Sequence, residues 1–145
     1  MKVLDELIDH FNRRSLDLPD GLFNRHTQFV LNGLPFEARM GRPPNDPLVL
    51  MLTRGPAGCR FAAKAIQHAV PDATLQCGEL TEREENGETI VTGQAWLSGH
   101  LRGTGERVEL LMDVELRWSG GTVVRAEVAI AEHDLARIVE ARLRN

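Results

Sequence analysis

ETIVTGQAWLSGHLRGTGERVELLMDVELRWSGGTVVRAEVAIA, residues 88–131, is the stretch whose reading decides the fold. It divides into three long runs, 88–100, 107–118 and 122–131, joined only by LRGTGE and SGG. In the middle run Val108, Leu110, Met112, Val114, Leu116 and Trp118 alternate with Glu109, Asp113, Glu115 and Arg117, Leu111 being the one apolar residue out of phase. Period-2 alternation of this length marks a half-buried antiparallel strand, so the apolar set faces a core and Asp113 faces away from it. A one-residue slip would bury Glu109, Glu115 and Arg117 together. In the last run Val124, Ala126, Val128 and Ile130 are expected inside, with Arg125 and Glu127 outside. The first run has two partly apolar faces: Trp96 shares one with Ile90, Gln94, Ser98 and His100, while Val91, Ala95 and Leu97 share the other. One face packs inside; the other meets a second subunit or lies under the terminal helix.

Outward from this meander, the remaining chain reads as mostly helical. Val3, Leu4, Leu7, Ile8 and Phe11 form one apolar stripe of an N-terminal helix that stops near Ser15–Asp17, where LDLPDG supplies breakers. A short strand is expected at Thr27–Leu31, ended by Asn32-Gly33. Residues 33–47 hold four prolines and two glycines, a loop that either covers a site or is simply mobile. Asp46-Pro47 is a helix start, a side-chain cap followed by a residue whose missing N–H costs nothing there. The run LVLMLTR then reaches Gly55, with a strand as the alternative for so short an apolar run. Pro56 opens a second helix with Cys59, Ala62, Ala63, Ile66 and Val70 on its stripe, stopped by Pro71-Asp72. A strand over Thr74–Glu82 turns at Glu85-Asn86-Gly87 into the meander. Asp134 is expected to cap a last helix with Leu135, Ile138, Val139 and Leu143 as its apolar positions. Helices early and a meander late predict an α+β fold, read as one domain over 1–145.

Composition excludes several classes. A 145-residue chain of ordinary composition can bury roughly 68–70% of its unfolded surface, enough for a core and a pocket. Net charge is −4 and no basic patch exists beyond Arg13-Arg14, which argues against nucleic acid as partner. Asp5, Glu6 and Asp9 interrupt the N-terminal apolar pattern, so no secretory leader is read there. No run approaches the ~18 apolar residues of a membrane span. A cytoplasmic protein is the expectation. Cys59 and Cys77, without CxxC spacing, read as two buried reduced thiols.

The order of elements and several strings resemble the nuclear transport factor 2-like superfamily, specifically its SnoaL-like members, over nearly the whole chain. The strings are Leu22-Phe23 before the first strand, Pro71-Asp72-Ala73 between helix and meander, ETIVTGQAWLSGHLRG at 88–103, and SGGTVV at 119–124. The resemblance implies a cystatin-like cone, a curved antiparallel sheet wrapped around N-terminal helices and enclosing an apolar pocket. Parity within that cone places Leu7, His10, Phe11, Phe29, Leu31, Met112, Val114, Ala126 and Val128 on the pocket. The superfamily includes ketosteroid isomerases, polyketide cyclases and dehydratases as well as domains with no chemistry, so the fold does not decide function.

The catalytic pattern of those relatives is incomplete in this chain. The isomerase-type members place a carboxylate base after the first strand, where Leu31 and Asn32 stand, and a tyrosine on the first helix, where Asp9-His10 stands. The sequence contains no tyrosine. His10 either points into the pocket as a donor or is an ordinary helix-flank histidine. Asp113 matches the third, acidic, position by ungapped alignment, but its parity is outward. Gly103-Thr104-Gly105 lacks the third glycine of a dinucleotide loop, no G-x-S-x-G occurs, and the five histidines are too dispersed for a metal site. Glu132-His133-Asp134 is attributed to helix capping.

Three readings follow. The first is a small-molecule-binding domain with an apolar cavity, no complete catalytic set and no cofactor or metal. The second is an isomerase, cyclase or dehydratase working on a small polyketide- or steroid-like substrate through His10 or Asp113. The third is a structural or partner-binding module whose cavity is filled. Cavity size separates the third from the others, and a concave site of a few hundred Å³ lined by His10 or Asp113 would favour the second. A homodimer through the outer sheet face is expected in each case.

Overall fold

The computed structural model describes residues 2–15, 17–18 and 21–143. The side chain of Val3 and residues 16, 19 and 20 of the LDLPDG breaker lie outside the described residues. In chain order the elements are α1 (Lys2–Asn12), β1 (Phe23–Leu31), β2 (Leu34–Pro35), a 3-10 turn (Phe36–Arg39), α2 (Pro47–Thr53), α3 (Gly55–Ala69), β3 (Thr74–Glu85), β4 (Glu88–His100), β5 (Arg107–Ser119), β6 (Thr122–Ile130) and α4 (Glu132–Arg142). The six strands form one curved sheet in the order β2-β1-β6-β5-β4-β3. It is antiparallel except where β1 runs parallel to β6. The expected α+β architecture is the observed one.

Local chemistry sets the boundaries. The Asp46 carboxylate accepts the Leu48 N–H at 2.9 Å and Pro47 takes the first helical position of α2. Gly55, at φ +65°, joins α2 to α3 where an added Cβ would lie 2.7 Å from the Asn24 carbonyl oxygen. Asn86 and Gly87, both at positive φ, make the tight turn between β3 and β4. The turn after α3 is held by arginines from elsewhere: Arg14 donates to the carbonyls of Pro71 and Ala73 at 2.8 and 2.7 Å, and Arg102 to that of His68 at 2.6 Å. Those groups satisfy carbonyls that the end of a helix leaves unpaired.

The parity of β5 is as its sequence predicts. Val108, Leu110 and Leu116 are buried on the face that the helices cover, with Met112, Val114 and Trp118 packed beside them. Asp113 and Leu111 are exposed on the opposite face. Two clusters fill the covered face. One joins Phe11, Ala69, Val70, Leu97, Leu110 and Ala141; the other joins Leu4, Leu22, Phe23, Phe29, Val91, Leu116, Val123 and Ala126.

On the outer face, Glu115 sits directly across from Glu127, and Arg117 from Arg125. Lateral like-charge pairs destabilise a sheet. Contacts along each strand offset them, Arg117 to Glu115 at 3.6 Å and Arg125 to Glu127 at 3.7 Å. Ile90 belongs to this charged face yet has no exposed surface, lying between its cross-strand neighbours Arg83 and Arg117. Their aliphatic stems account for its cover.

Four local expectations need correction. Val124 does not take the inward place at the start of β6: a register shift between Arg117 and Trp118 pairs Trp118 with Val123, which is buried instead. One extra residue in a strand reverses the parity on one side of it, and period alone does not reveal that. Asp134 does not cap α4; the helix starts at Glu132 after Ala131, and the Asp134 carboxylate meets Arg137 at 3.3 Å. Of that helix's expected apolar positions, Val139 and Leu143 are exposed. Residues 33–47 are not an unstructured loop throughout, since β2 and the 3-10 turn occupy 34–39.

Candidate functional site

Between α1 and the inner ends of β1, β5 and β6 the described residues enclose a cavity of about 20 Å³. Its walls are Leu4 and Leu7 of α1, Leu22, Phe23 of β1, Leu116 and Trp118 of β5, and Val123 of β6. That volume admits little more than one water. Trp118 is the one lining residue with a polar side-chain atom; its indole nitrogen, Nε1, is buried and has no hydrogen-bond partner among the described residues.

Of the expected pocket residues, Leu7 borders this cavity. Phe11 lies in one packed cluster with Met112 against it, and Phe29 and Ala126 lie in the other with Val114 against them. Leu31 and Val128 are half-buried neighbours across β1 and β6. The two clusters fill the space that an open cone would leave for a ligand. His10 is half-buried near the end of α1, its Nδ1 3.3 Å from the Ser15 hydroxyl, away from the cavity lining.

Asp113 does line a concave surface, on the other side of the sheet. An open groove of about 430 Å³ runs over Thr92, Gly93, Gln94, Asp113, Val114, Glu115, Glu127 and Ala129. Asp113 accepts from Gln94 Nε2 at 3.2 Å. Beside the groove Trp96 and Leu111 are direct cross-strand partners, 39% and 46% exposed. The Trp96 ring lies over Gly78, where an added Cβ would come within 2.8 Å of it.

Asn32, with Leu31 one of the two residues standing where the resemblance would put a base, is committed to structure. At φ +50° its amide donates to the Ile130 carbonyl at 2.9 Å and accepts the Ile130 N–H at 2.7 Å, tying the β1–β2 turn to the end of β6. Both cysteines are half-buried and unpaired. Burial pushes the Cys59 thiol up to about 11 and raises that of Cys77, to which the Asp5 charge adds. Neither is a thiolate nucleophile near neutral pH. Among the described residues no group of three or more His, Cys, Asp or Glu side chains could hold a metal ion, and no helix is long and apolar enough to cross a membrane.

Two polar constellations escape sequence reasoning. Glu37, in the 3-10 turn, is buried against Arg54 at 2.9 Å and Gln28 at 3.2 Å. Asp72 and His100 pair at 2.6 Å at the exposed end of β4. Both join residues far apart in sequence, and no local spacing marks them. The one local signal, Asp72 after Pro71, marks a helix stop.

No protein-family model matches the sequence, and no curated protein sequence matches it. Solved structures do match. IdmH of Streptomyces antibioticus, described as a putative polyketide cyclase, is 18% identical with a TM-score of 0.66, covering 95% of this chain and 96% of its own. A protein of Jannaschia sp. CCS1 described as a putative SnoaL-like polyketide cyclase is 12% identical, TM-score 0.62, over 99% and 92%. TerC, co-crystallised with polyporic acid, is 14% identical, TM-score 0.62, over 96% of both chains. NTF2-like proteins are among the further matches.

The fold is NTF2-like.

At these identities the likeness is one of architecture, and an NTF2-like scaffold hosts many chemistries. What this chain has beneath α1 is a small cavity with an apolar lining.

Proposed function

We propose that this chain binds a small, largely apolar molecule inside the cone and carries no complete catalytic set there. The observation that supports this reading is the lining of the inner cavity, seven side chains with a single polar atom among them. Such a wall gives affinity through burial of apolar surface. The inner wall supplies no acid or base to a reaction: His10 lies off it. Asp113 lines only the open groove on the opposite face of the sheet, where the size criterion for a catalytic site is met but the cone encloses nothing. The fold's occurrence in polyketide cyclase structures, and in TerC with polyporic acid, fits a ring-containing ligand class. The cavity as it stands is smaller than such a ligand, so binding requires α1 to yield. Native mass spectrometry of protein taken directly from expression, followed by release and identification of any carried molecule, tests this reading. A recovered neutral apolar compound, displaceable by similar ones, is expected. Protein that carries nothing and whose melting point is unmoved by a panel of apolar ring compounds would sink it.

A second reading concerns the outer face. Trp96 and Leu111, exposed side by side beside an open groove, suit a homodimer that covers them. Aromatic residues are enriched at the centres of such interfaces. Sedimentation velocity decides it, a concentration-independent monomer being the contrary result.

A further inference from the structure

α2 leaves most of its apolar side chains in water. Of the consecutive apolar residues Leu48 to Leu52, Val49 is buried and Leu50 half-buried. Leu48, Met51 and Leu52 are 47%, 63% and 43% exposed. Their i, i+3, i+4 spacing puts all three on one face of the helix. Large apolar side chains scattered singly over a surface are ordinary, but a contiguous set marks a contact site. A helix that is apolar on every side asks for cover on every side.

The chain around this face is cationic, within an acidic protein. Residues 21–71 hold six Lys and Arg against two Asp and Glu, whereas the rest of the sequence holds eleven against nineteen. Such asymmetry points to an anionic partner. Both acids of the segment are already engaged. Glu37 is buried against Arg54, and Asp46 meets Arg42 at 3.1 Å while capping α2. That pairing sets the exposed Arg42 at the start of the helix. At the other end a Cβ on Gly55 would lie 3.0 Å from the Cα of Arg25, another exposed cation. Arg39, also exposed, belongs to the 3-10 turn that contacts α2.

We propose that α2 docks this protein onto an anionic lipid surface. Leu48, Met51 and Leu52 enter the boundary between headgroups and acyl chains, and Arg25, Arg39 and Arg42 face the lipid phosphates. At seven residues α2 lies on the bilayer and does not cross it. A second copy fits less well, because a two-fold contact would set the same cationic rim against itself. An amphipathic partner helix needs a groove, and no α2 residue lines either the outer groove or the inner cavity. Nucleic acid would satisfy the charge but not the aliphatic face, and α2 has no aromatic ring on which a base could stack. This docking is independent of the binding reading above.

The test is cosedimentation of the full chain with vesicles of phosphatidylcholine alone and with about 30% phosphatidylglycerol. The protein should pellet with the anionic vesicles, less so as salt is added, and stay behind with the neutral ones. Met51→Ser combined with Leu52→Ser should lower the partition coefficient about tenfold or more, and Arg39→Gln combined with Arg42→Gln by a similar factor. Leu111→Ser, on the other exposed apolar site, should leave it unchanged. Amide exchange gives a readout that needs no variant: the amides of α2 should exchange more slowly when anionic vesicles are present. Protein that stays in the supernatant with both vesicles overturns the proposal. So does binding that neutral vesicles match, or that Met51→Ser with Leu52→Ser leaves intact. Self-association of the free protein that the same double substitution abolishes would assign the face to a second copy and overturn the lipid contact.

Discussion

Asp72 grips His100 twice: Oδ1 accepts the His100 backbone N–H at 2.7 Å, and Oδ2 lies 2.6 Å from its Nδ1. The pair locks the turn after α3 to the end of β4, and Gly99 makes room for it, since a Cβ there would lie 2.7 Å from Asp72 Oδ1. The two bonds from His100 hold the Asp72 carboxyl below its ordinary range. A carboxyl depressed in the folded state stabilises above its unfolded pKa, and that contribution is lost as pH falls through the folded value. Asp72→Ala should therefore cost on the order of 0.5–1 kcal/mol at neutral pH, a modest figure because the pair is half exposed. The difference from wild type should shrink as pH falls below the ordinary aspartate range and through the depressed folded value. Urea midpoints at a series of pH values measure it, and a gap that stays constant down to pH 2 would contradict the assignment.

Glu37 and Arg54 make a different kind of pair, with side chains 6% and 30% exposed. Burial pushes the Glu37 carboxyl up, but its own backbone hydrogen bond, those from Arg54 and Gln28, and the Arg54 charge together leave it below its ordinary value. The stabilisation is again present above the unfolded pKa and lost in acid. Removal of the two partners should be unequal. Arg54→Met strands a buried carboxylate and should cost about 2–3 kcal/mol, whereas Glu37→Gln leaves a cation with access to water and should cost about 1. Glu37→Met combined with Arg54→Met should recover part of the Arg54→Met loss. Chemical denaturation of the set tests the order, and equal single-mutant costs would show that the pair is screened.

The sequence carried the meander and not the site, for reasons visible in particular residues. Alternation from Val108 to Trp118 placed Asp113 outward because every second residue repeats one environment over a whole strand. The exchange of Val124 for Val123 escaped because a bulge is a property of two strands. Glu37 sat in a proline-rich segment with no period to read, and its partners are at positions 28 and 54. The size of the cavity was least legible of all. Whether an apolar cone is open or filled depends on how Leu4, Leu7, Leu22 and Phe23 interdigitate with β5 and β6, and alternation constrains which way they point rather than how closely they meet.

On the outer sheet face, Leu111→Glu adds a carboxylate next to Asp113 and opposite Trp96. If two copies meet there, the substitution buries an unpaired charge in each copy and should shift association by at least tenfold, while the exposed position leaves monomer stability nearly unchanged. Sedimentation velocity at several concentrations, paired with thermal unfolding, separates the two effects. An unaltered sedimentation coefficient would place any dimer contact elsewhere.

Leu7 tests whether the cone is a site or only a core. Its side chain fills space that a ligand would need, and it lies on the half of α1 that no hydrogen bond anchors among the described residues. Leu7→Ala removes three carbons from the cavity wall. As part of a packed core alone it should cost about 2–3 kcal/mol, at the low end for such truncations because the residue is half-buried. As part of a binding site it should do something further: the enlarged slot admits a ring without displacement of the helix, so an apolar ring compound such as indane should bind more tightly to the variant and recover most of the lost stability when saturating. Thermal melts with and without indane distinguish the outcomes. A variant that is destabilised yet gains nothing from ligand would mean that the space beneath α1 is structural.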